Sequence, residues 1–182
     1  MKNIRELEFL NSFVGTEHWS VIATLESLEE LSFDVCKFLE GPADIEPEGK
    51  PKVRVSRLRV ADCTGLLQPV AAMHPQYLRT LSMDSNFFGQ VDWLPQSGLI
   101  QLCFWLSPCL DQDWYSKLVH TLLMQVPPSL EILWLPAYQR TAVDRDMVRS
   151  MFADPAWKNL SHLRSLTLEV LSEDPGGPEN VS

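Results

Sequence analysis

The stretch Leu99-Ile100-Gln101-Leu102-Cys103-Phe104-Trp105-Leu106-Ser107 carries apolar residues at its first, fourth and sixth positions. The same nine-residue pattern occurs seven times along the chain. The fourth-position leucines are Leu7, Leu31, Leu58, Leu81, Leu102, Leu133 and Leu166. Alternation of apolar and polar residues around each leucine predicts a short strand with one buried face. The intervals run from 21 residues (Leu81 to Leu102) to 33 residues (Leu133 to Leu166). Each interval leaves room for a return segment, so we expect neighbouring strands to be parallel.

At these positions the chain resembles the leucine-rich repeat family, whose template is L-x-x-L-x-L-x-x-N/C-x-L. The resemblance covers residues 4–171, and the ninth position is Asn or Cys in three copies (Cys36, Cys63, Asn86) but Tyr138 and Leu171 in the last two. It implies an α/β solenoid, a leucine-rich repeat horseshoe. About seven parallel strands would line its concave face, with helices and irregular segments on the convex face. The uneven repeat length is similar to that of the intracellular repeat regions of F-box proteins, especially fungal ones.

The seven copies form one predicted domain, residues 1–171, which contains a mobile loop at 40–51 and is followed by a disordered tail at 172–182. Apolar residues at helical spacing predict a return helix over 116–126 that ends at Pro127-Pro128, with Asp111 or Asp113 as its N-cap. The first copy begins at Ile4 with nothing before it to cover its core. We therefore expect either a fragment of a longer protein or a short gene product.

Composition narrows the class of partner. The net charge of −9 opposes binding to phosphate backbones, so nucleic acid is not expected as a partner. The four cysteines have no C-x-x-C spacing, which favours reduced thiols in an intracellular protein of the cytoplasm or nucleus. The chain has no signal-peptide core and no apolar run long enough to cross a bilayer, so no membrane association is expected.

Charged residues dominate the outward positions of the first four predicted strands. The residues that would form a charged rim are Glu30, Arg57, Arg59, Arg79 and Asp84. Glu30 and Arg57 occupy the same position of neighbouring strands, which predicts a cross-strand ion pair. Two interpretations remain open: a solvated face with surface ion pairs, or a rim that recognises a partner.

The outward positions of the fifth and sixth copies are apolar instead. The predicted partner-binding residues are Ile100, Cys103, Trp105, Leu106, Ile132 and Trp134. Contiguous exposed apolar surface indicates a binding site, and tryptophan is enriched among residues that dominate binding energy. The alternative is that the 40–51 loop, the C-terminal tail or a neighbouring segment covers them.

The sequence gives little support for a catalytic function. Cys103 and His120 could form a nucleophile and base, but the first belongs to a predicted strand and the second to a helix on the opposite side. The Asp111, Asp113 and His120 spacing matches no metal-binding loop, so no metal or cofactor is expected. We predict a non-catalytic protein-interaction module that uses the concave face. Its most specific form by resemblance is the substrate-binding part of an F-box-type ubiquitin ligase receptor, with a ligase adaptor as partner. The alternatives are a small hydrolase or thiol enzyme on a repeat scaffold, and a truncated remnant with no partner.

Overall fold

A computed structural model describes residues 3–39, 53–65, 73–84, 97–105, 112–138, 149 and 152–171. The predicted loop 40–51, the predicted tail 172–182, Leu106 and Asp111 lie outside these described residues.

Seven strands form one parallel sheet, and they follow one another in chain order across it. The strands are β1 (Glu6–Leu10), β3 (Glu30–Asp34), β5 (Arg57–Ala61), β6 (Thr80–Asp84), β7 (Gln101–Trp105), β8 (Ile132–Tyr138) and β9 (Ser165–Leu171). The fourth-position leucines align in one row, from Leu7 opposite Leu31 to Leu133 opposite Leu166. The sheet is open, with β1 at one edge and β9 at the other. The predictions of seven parallel strands and of an α/β architecture are confirmed.

The side chains of the sheet divide between two faces as the alternation predicts. We call the face that carries the fourth and sixth template positions the inner face, and the opposite one the outer face. In β3, β5, β6, β7 and β8 the inner side chains are at most 2% exposed. They form a single core with the residues at the first template position. Burial of these apolar side chains is the main source of stability for the sheet.

A left-handed residue follows each of the first three strands of the large sheet. Asn11 (φ 47°), Val35 (φ 53°) and Asp62 (φ 50°) all occupy the eighth template position. The backbone N–H of Asn11 donates to the Asp34 carbonyl oxygen at 2.9 Å, and that of Val35 donates to the Ala61 carbonyl oxygen at 3.0 Å. The chain therefore turns sharply after each strand while its hydrogen bonding continues.

A smaller ladder runs beside the large sheet beyond these turns. The strands β2 (Phe13–Val14) and β4 (Lys37–Phe38) pair in parallel, and Lys37 is bridged to Thr64. Gly65 follows with φ 103°, and a Cβ atom there would collide with the carbonyl oxygen of Phe38. Only glycine fits this position without strain.

The helices cover the inner face. The helix α1 spans Thr16–Ile22 and α2 spans Gln112–Gln125, while short 3-10 helices span Pro75–Tyr77 and Pro155–Asn159. The residues of α2 and its C-terminal end that belong to the core are Val119, Leu122, Leu123 and Val126. The return helix was correctly predicted, but it begins four residues before Ser116. Asp113 thus lies inside the helix and cannot be its N-cap.

Candidate functional site

The outer face presents two long rows of side chains, because parallel strands in matched register place equivalent residues side by side. One row runs Glu6, Glu30, Arg57, Thr80, Gln101, Ile132, Ser165. The next row runs Glu8, Ser32, Arg59, Ser82, Cys103, Trp134, Thr167. The face is thus charged on β1, β3 and β5, small and polar on β6, and more apolar on β7 and β8.

The charged part is a network of ion pairs between neighbouring strands. Arg57 Nε donates to Glu30 Oε2 at 2.7 Å, which confirms the predicted cross-strand pair. Arg57 also lies 4.0 Å from Glu6, and Arg59 lies 3.8 Å from Asp34. The hydrogen bond from Arg57 to Glu30, and the negative charge of Glu30, raise the pKa of Arg57 above its usual range. These arginine side chains are about half exposed, so solvent and salt weaken the pairs.

The remaining predicted rim residues have different surroundings. Arg79 precedes β6, and its Nη1 donates to the carbonyl oxygen of Gly98 at 2.7 Å. Asp84 ends β6 and is only 5% exposed, and its charge acts on the thiol of Cys63. Asp84 therefore offers a partner almost no surface.

The predicted apolar residues of β7 and β8 are brought together by the sheet. The backbone N–H of Ile132 donates to the Ile100 carbonyl oxygen at 3.0 Å, and these two side chains are 36% and 39% exposed. Trp134 is partly buried and lies opposite Cys103, which is 7% exposed. Trp105 ends β7, where it pairs with Asp84. We call Ile100, Ile132 and Trp134 the apolar strip; Cys103 lies beneath it and contributes little surface.

The three described cysteines are buried, free thiols. Two of them serve the turns after the strands: the Cys36 N–H donates to Cys63 Sγ at 3.3 Å, and Cys63 Sγ donates to the Ala61 carbonyl oxygen at 3.1 Å. Burial raises the pKa of Cys63 to about 12, and the nearby Asp84 charge acts in the same direction. A thiol held neutral in this way is a poor nucleophile.

Cys103 and His120 lie on opposite sides of the sheet. Cys103 belongs to the outer face, whereas α2, which carries His120, packs into the core on the inner face. His120 Nδ1 lies 2.6 Å from Asp154 Oδ2, and Asp154 also accepts a hydrogen bond from the backbone N–H of Ala156 at 2.8 Å. The Ala156 hydrogen bond, followed by that of His120, lowers the pKa of Asp154. This arrangement ties α2 to the second 3-10 helix.

An open cavity of about 590 Å³, not predicted from the sequence, lies at the amino-terminal ends of β1 and β3. Its lining residues are Asn3, Arg5, Glu26, Ser27, Leu28 and Glu29. Within it, Arg5 forms an ion pair with Glu29 at 3.3 Å. The pattern of strands gave no signal for this cavity, because its wall comes from the turn that precedes β3.

Among the described residues, no group of three or more His, Cys, Asp or Glu side chains is placed to hold a metal ion. No helix in the described part of the chain has the length and apolar character needed to cross a bilayer. Comparisons with protein-family models, curated proteins and solved structures gave no significant match.

Proposed function

We propose that this chain is a non-catalytic protein-interaction module, folded as a leucine-rich repeat solenoid, that holds a protein partner on the outer face of its sheet. The proposed horseshoe would make this face concave. The chain-order parallel strands, the aligned leucine row and the recurring left-handed turn support the solenoid. The protein would act in the cytoplasm or nucleus.

The observation that carries the binding proposal is the apolar strip. Ile132, on the outer face of β8, is 36% exposed, and Ile100, which directly precedes β7, is 39% exposed, whereas the first strands of the outer face carry charged side chains. Burying such side chains against a partner is favourable, whereas exposing them to water contributes nothing to the fold. Trp134, beside them, adds the large aromatic surface that dominates many interfaces. The charged residues of β5 lie farther along the same face, beyond the small polar side chains of β6, and would restrict the orientation of a partner that extends over them.

Quantitative affinity capture from the native source tests the proposal. We expect the double variant Ile132→Ser with Trp134→Ala to lose at least about tenfold of a captured protein that the wild-type chain retains. Ser165→Ala is a matched control, since Ser165 is the neighbour of Ile132 in the same row but is polar. The control should capture as the wild type does. Equal capture by the double variant, with its fold intact, would contradict the proposed site.

The most specific form of this function is the substrate-binding part of an F-box-type ubiquitin ligase receptor. Its support is the resemblance of the repeat pattern and of its uneven spacing. In the same capture experiment, recovery of a ligase adaptor in a stoichiometric amount would favour this form. Recovery of a partner without any adaptor would favour a free-standing interaction module.

A further inference from the structure

The core of β1 is less well covered than the core of its neighbour. Leu7 and Phe9 are partly exposed, although their register partners Leu31 and Phe33 in β3 are fully buried. The residue types are the same in the two strands, so the difference arises from neighbours. Among the described strands, β3 has a neighbour on each side, whereas β1 has a neighbour on one side.

The edge of β1 that points away from β3 pairs with no other described strand. The Glu30 N–H donates to the Arg5 carbonyl oxygen at 3.0 Å, and the Asn11 N–H donates to the Asp34 carbonyl oxygen at 2.9 Å. In a parallel ladder this alternation directs the backbone groups of Glu6 and Glu8 away from β3. No described strand pairs with them. Such an edge is a template for strand addition.

Apolar side chains are exposed at the same end of the sheet. Leu10 is 63% exposed at the end of β1, and Phe13 is 64% exposed in β2. Both belong to strands at the same open end, since β2 pairs only with β4 among the described strands. A strand that covered Leu7 and Phe9 and continued in the same direction would reach this apolar surface as well.

A second copy of the chain is a poor occupant of this edge. In a two-fold antiparallel pairing centred on Leu7, the outward carboxylate of Glu6 would face Glu8 of the second copy, and Glu8 would face its Glu6. In a head-to-tail pairing with β9, Arg164 would lie beside Arg5, because both occupy the second template position. Like charges on directly adjacent strands destabilise the pairing.

The existing sheet shows which charges fit. The outward carboxylates of β3 are met by arginines of β5: Glu30 by Arg57 at 2.7 Å, and Asp34 by Arg59 at 3.8 Å. On β1, Glu6 has only the distant Arg57 at 4.0 Å, and Glu8 has no ion pair within the described part of the chain. A cationic side chain on an added strand would complete this pattern.

We propose that this edge of β1 is a strand-addition site for a partner protein. The strand it accepts runs parallel to β1, with apolar residues facing Leu7 and Phe9 and with Lys or Arg beside Glu6 and Glu8. This surface is separate from the apolar strip, so the two contacts can be tested independently.

Fluorescence anisotropy with two labelled peptides tests the site on the full chain. The first peptide spans the length of β1, with Val at inward positions and Lys at the two outward positions; the second has Glu in place of both Lys. We expect the Lys peptide to bind about tenfold more tightly at low salt, because attractive cross-strand pairs replace repulsive ones. The difference should shrink at high salt.

Two variants and one control locate the binding. Glu8→Pro removes an edge N–H that points away from β3, so it should abolish binding without breaking the β1–β3 ladder. If that variant does not fold, Glu6→Lys combined with Glu8→Lys serves instead and should reverse the preference toward the Glu peptide. Glu26→Gln removes an equal charge outside the strand and should bind as the wild type does.

Three results would overturn the proposal: no binding of the Lys peptide at millimolar concentration, equal affinity for both peptides, or unchanged binding by the edge variants. A concentration-dependent dimer that Glu8→Pro dissolves would also overturn it, because the edge would then belong to a second copy. Because the edge of β1 and the apolar strip are separate surfaces, the peptide-binding result does not depend on whether the apolar-strip variants lose partner capture.

Discussion

Val35 holds the left-handed turn after β3 with φ 53°, a conformation that a β-branched residue rarely adopts. The strain is about 1–2 kcal/mol for an ordinary L-residue. Asparagine adopts this conformation far more readily, and Asn11 already does so at the equivalent position after β1. Val35 is 51% exposed, so removal of its side chain loses roughly 1 kcal/mol of favourable burial free energy, and the asparagine side chain replaces part of this loss. We expect Val35→Asn to raise the free energy of unfolding by about 1 kcal/mol.

Urea unfolding monitored by circular dichroism measures this change, and a gain of this size raises the melting temperature by about 2–4 °C for a chain of this length. Val35→Ala separates the two contributions, because it loses the side chain but gains no preference for positive φ. Val21→Asn makes the same exchange in α1, at a residue that is 62% exposed and without a positive φ. That control should change stability by less than about 0.5 kcal/mol. If Val35→Asn is no more stable than Val35→Ala, strain at this turn is not what the variant relieves.

Further outcomes are expected at Gly65, Cys63 and Asp154. Gly65→Ala should lower the free energy of unfolding by about 2 kcal/mol or more in urea titration, because the new Cβ collides with the Phe38 carbonyl and φ is 103°. The Cys63 thiol, with a pKa of about 12 against 9.0 unfolded, should resist iodoacetamide at pH 8 until urea is added, as read by mass spectrometry. The contribution of the protonated Cys63 thiol to the free energy of unfolding should be complete below pH 9 and should fall as the pH rises toward 12. Because the pKa of Asp154 is lowered from its ordinary value of 3.8, its carboxylate stabilises the fold above pH 3.8, and this contribution is lost as the pH falls further. Asp154→Asn should therefore flatten the acid side of a plot of unfolding free energy against pH. A native Cys63 that alkylates at the unfolded rate, or an unchanged acid side of that plot, would show that these contacts are not formed.

The strand pattern predicted the sheet because it is a local property repeated seven times. Each copy needs only its own apolar residues to define the buried side, and stacking the copies sets the register, as the pairing of Glu30 with Arg57 shows. The outward placement of Ile132 and Trp134 was predictable for the same reason, since they hold the third and fifth positions of the pattern. Once the strands are placed, alternation directs both side chains to the outer face, whereas Ile100 precedes β7 and its exposure does not follow from alternation.

Burial at individual positions was not predictable from alternation. Cys103 and Asp84 both hold outward positions but are 7% and 5% exposed, because the neighbouring strands shield them. Alternation describes one strand, whereas exposure depends on the size of the side chains on both adjacent strands. The exposure of Leu10 likewise follows from the place of β1 at the edge of the described sheet, which no pattern within one copy encodes.

The order of strands in the sheet, identical to their order in the chain, also governs how the molecule opens. Each strand of the large sheet depends on its immediate neighbours, so unfolding can start at an edge and advance inward one strand at a time. Amide protons of β1 and β9 can then exchange with solvent through small local openings, whereas those of β6 need several strands to separate first. A ligand on the edge of β1 would therefore slow exchange at that end while leaving the middle of the sheet nearly unchanged.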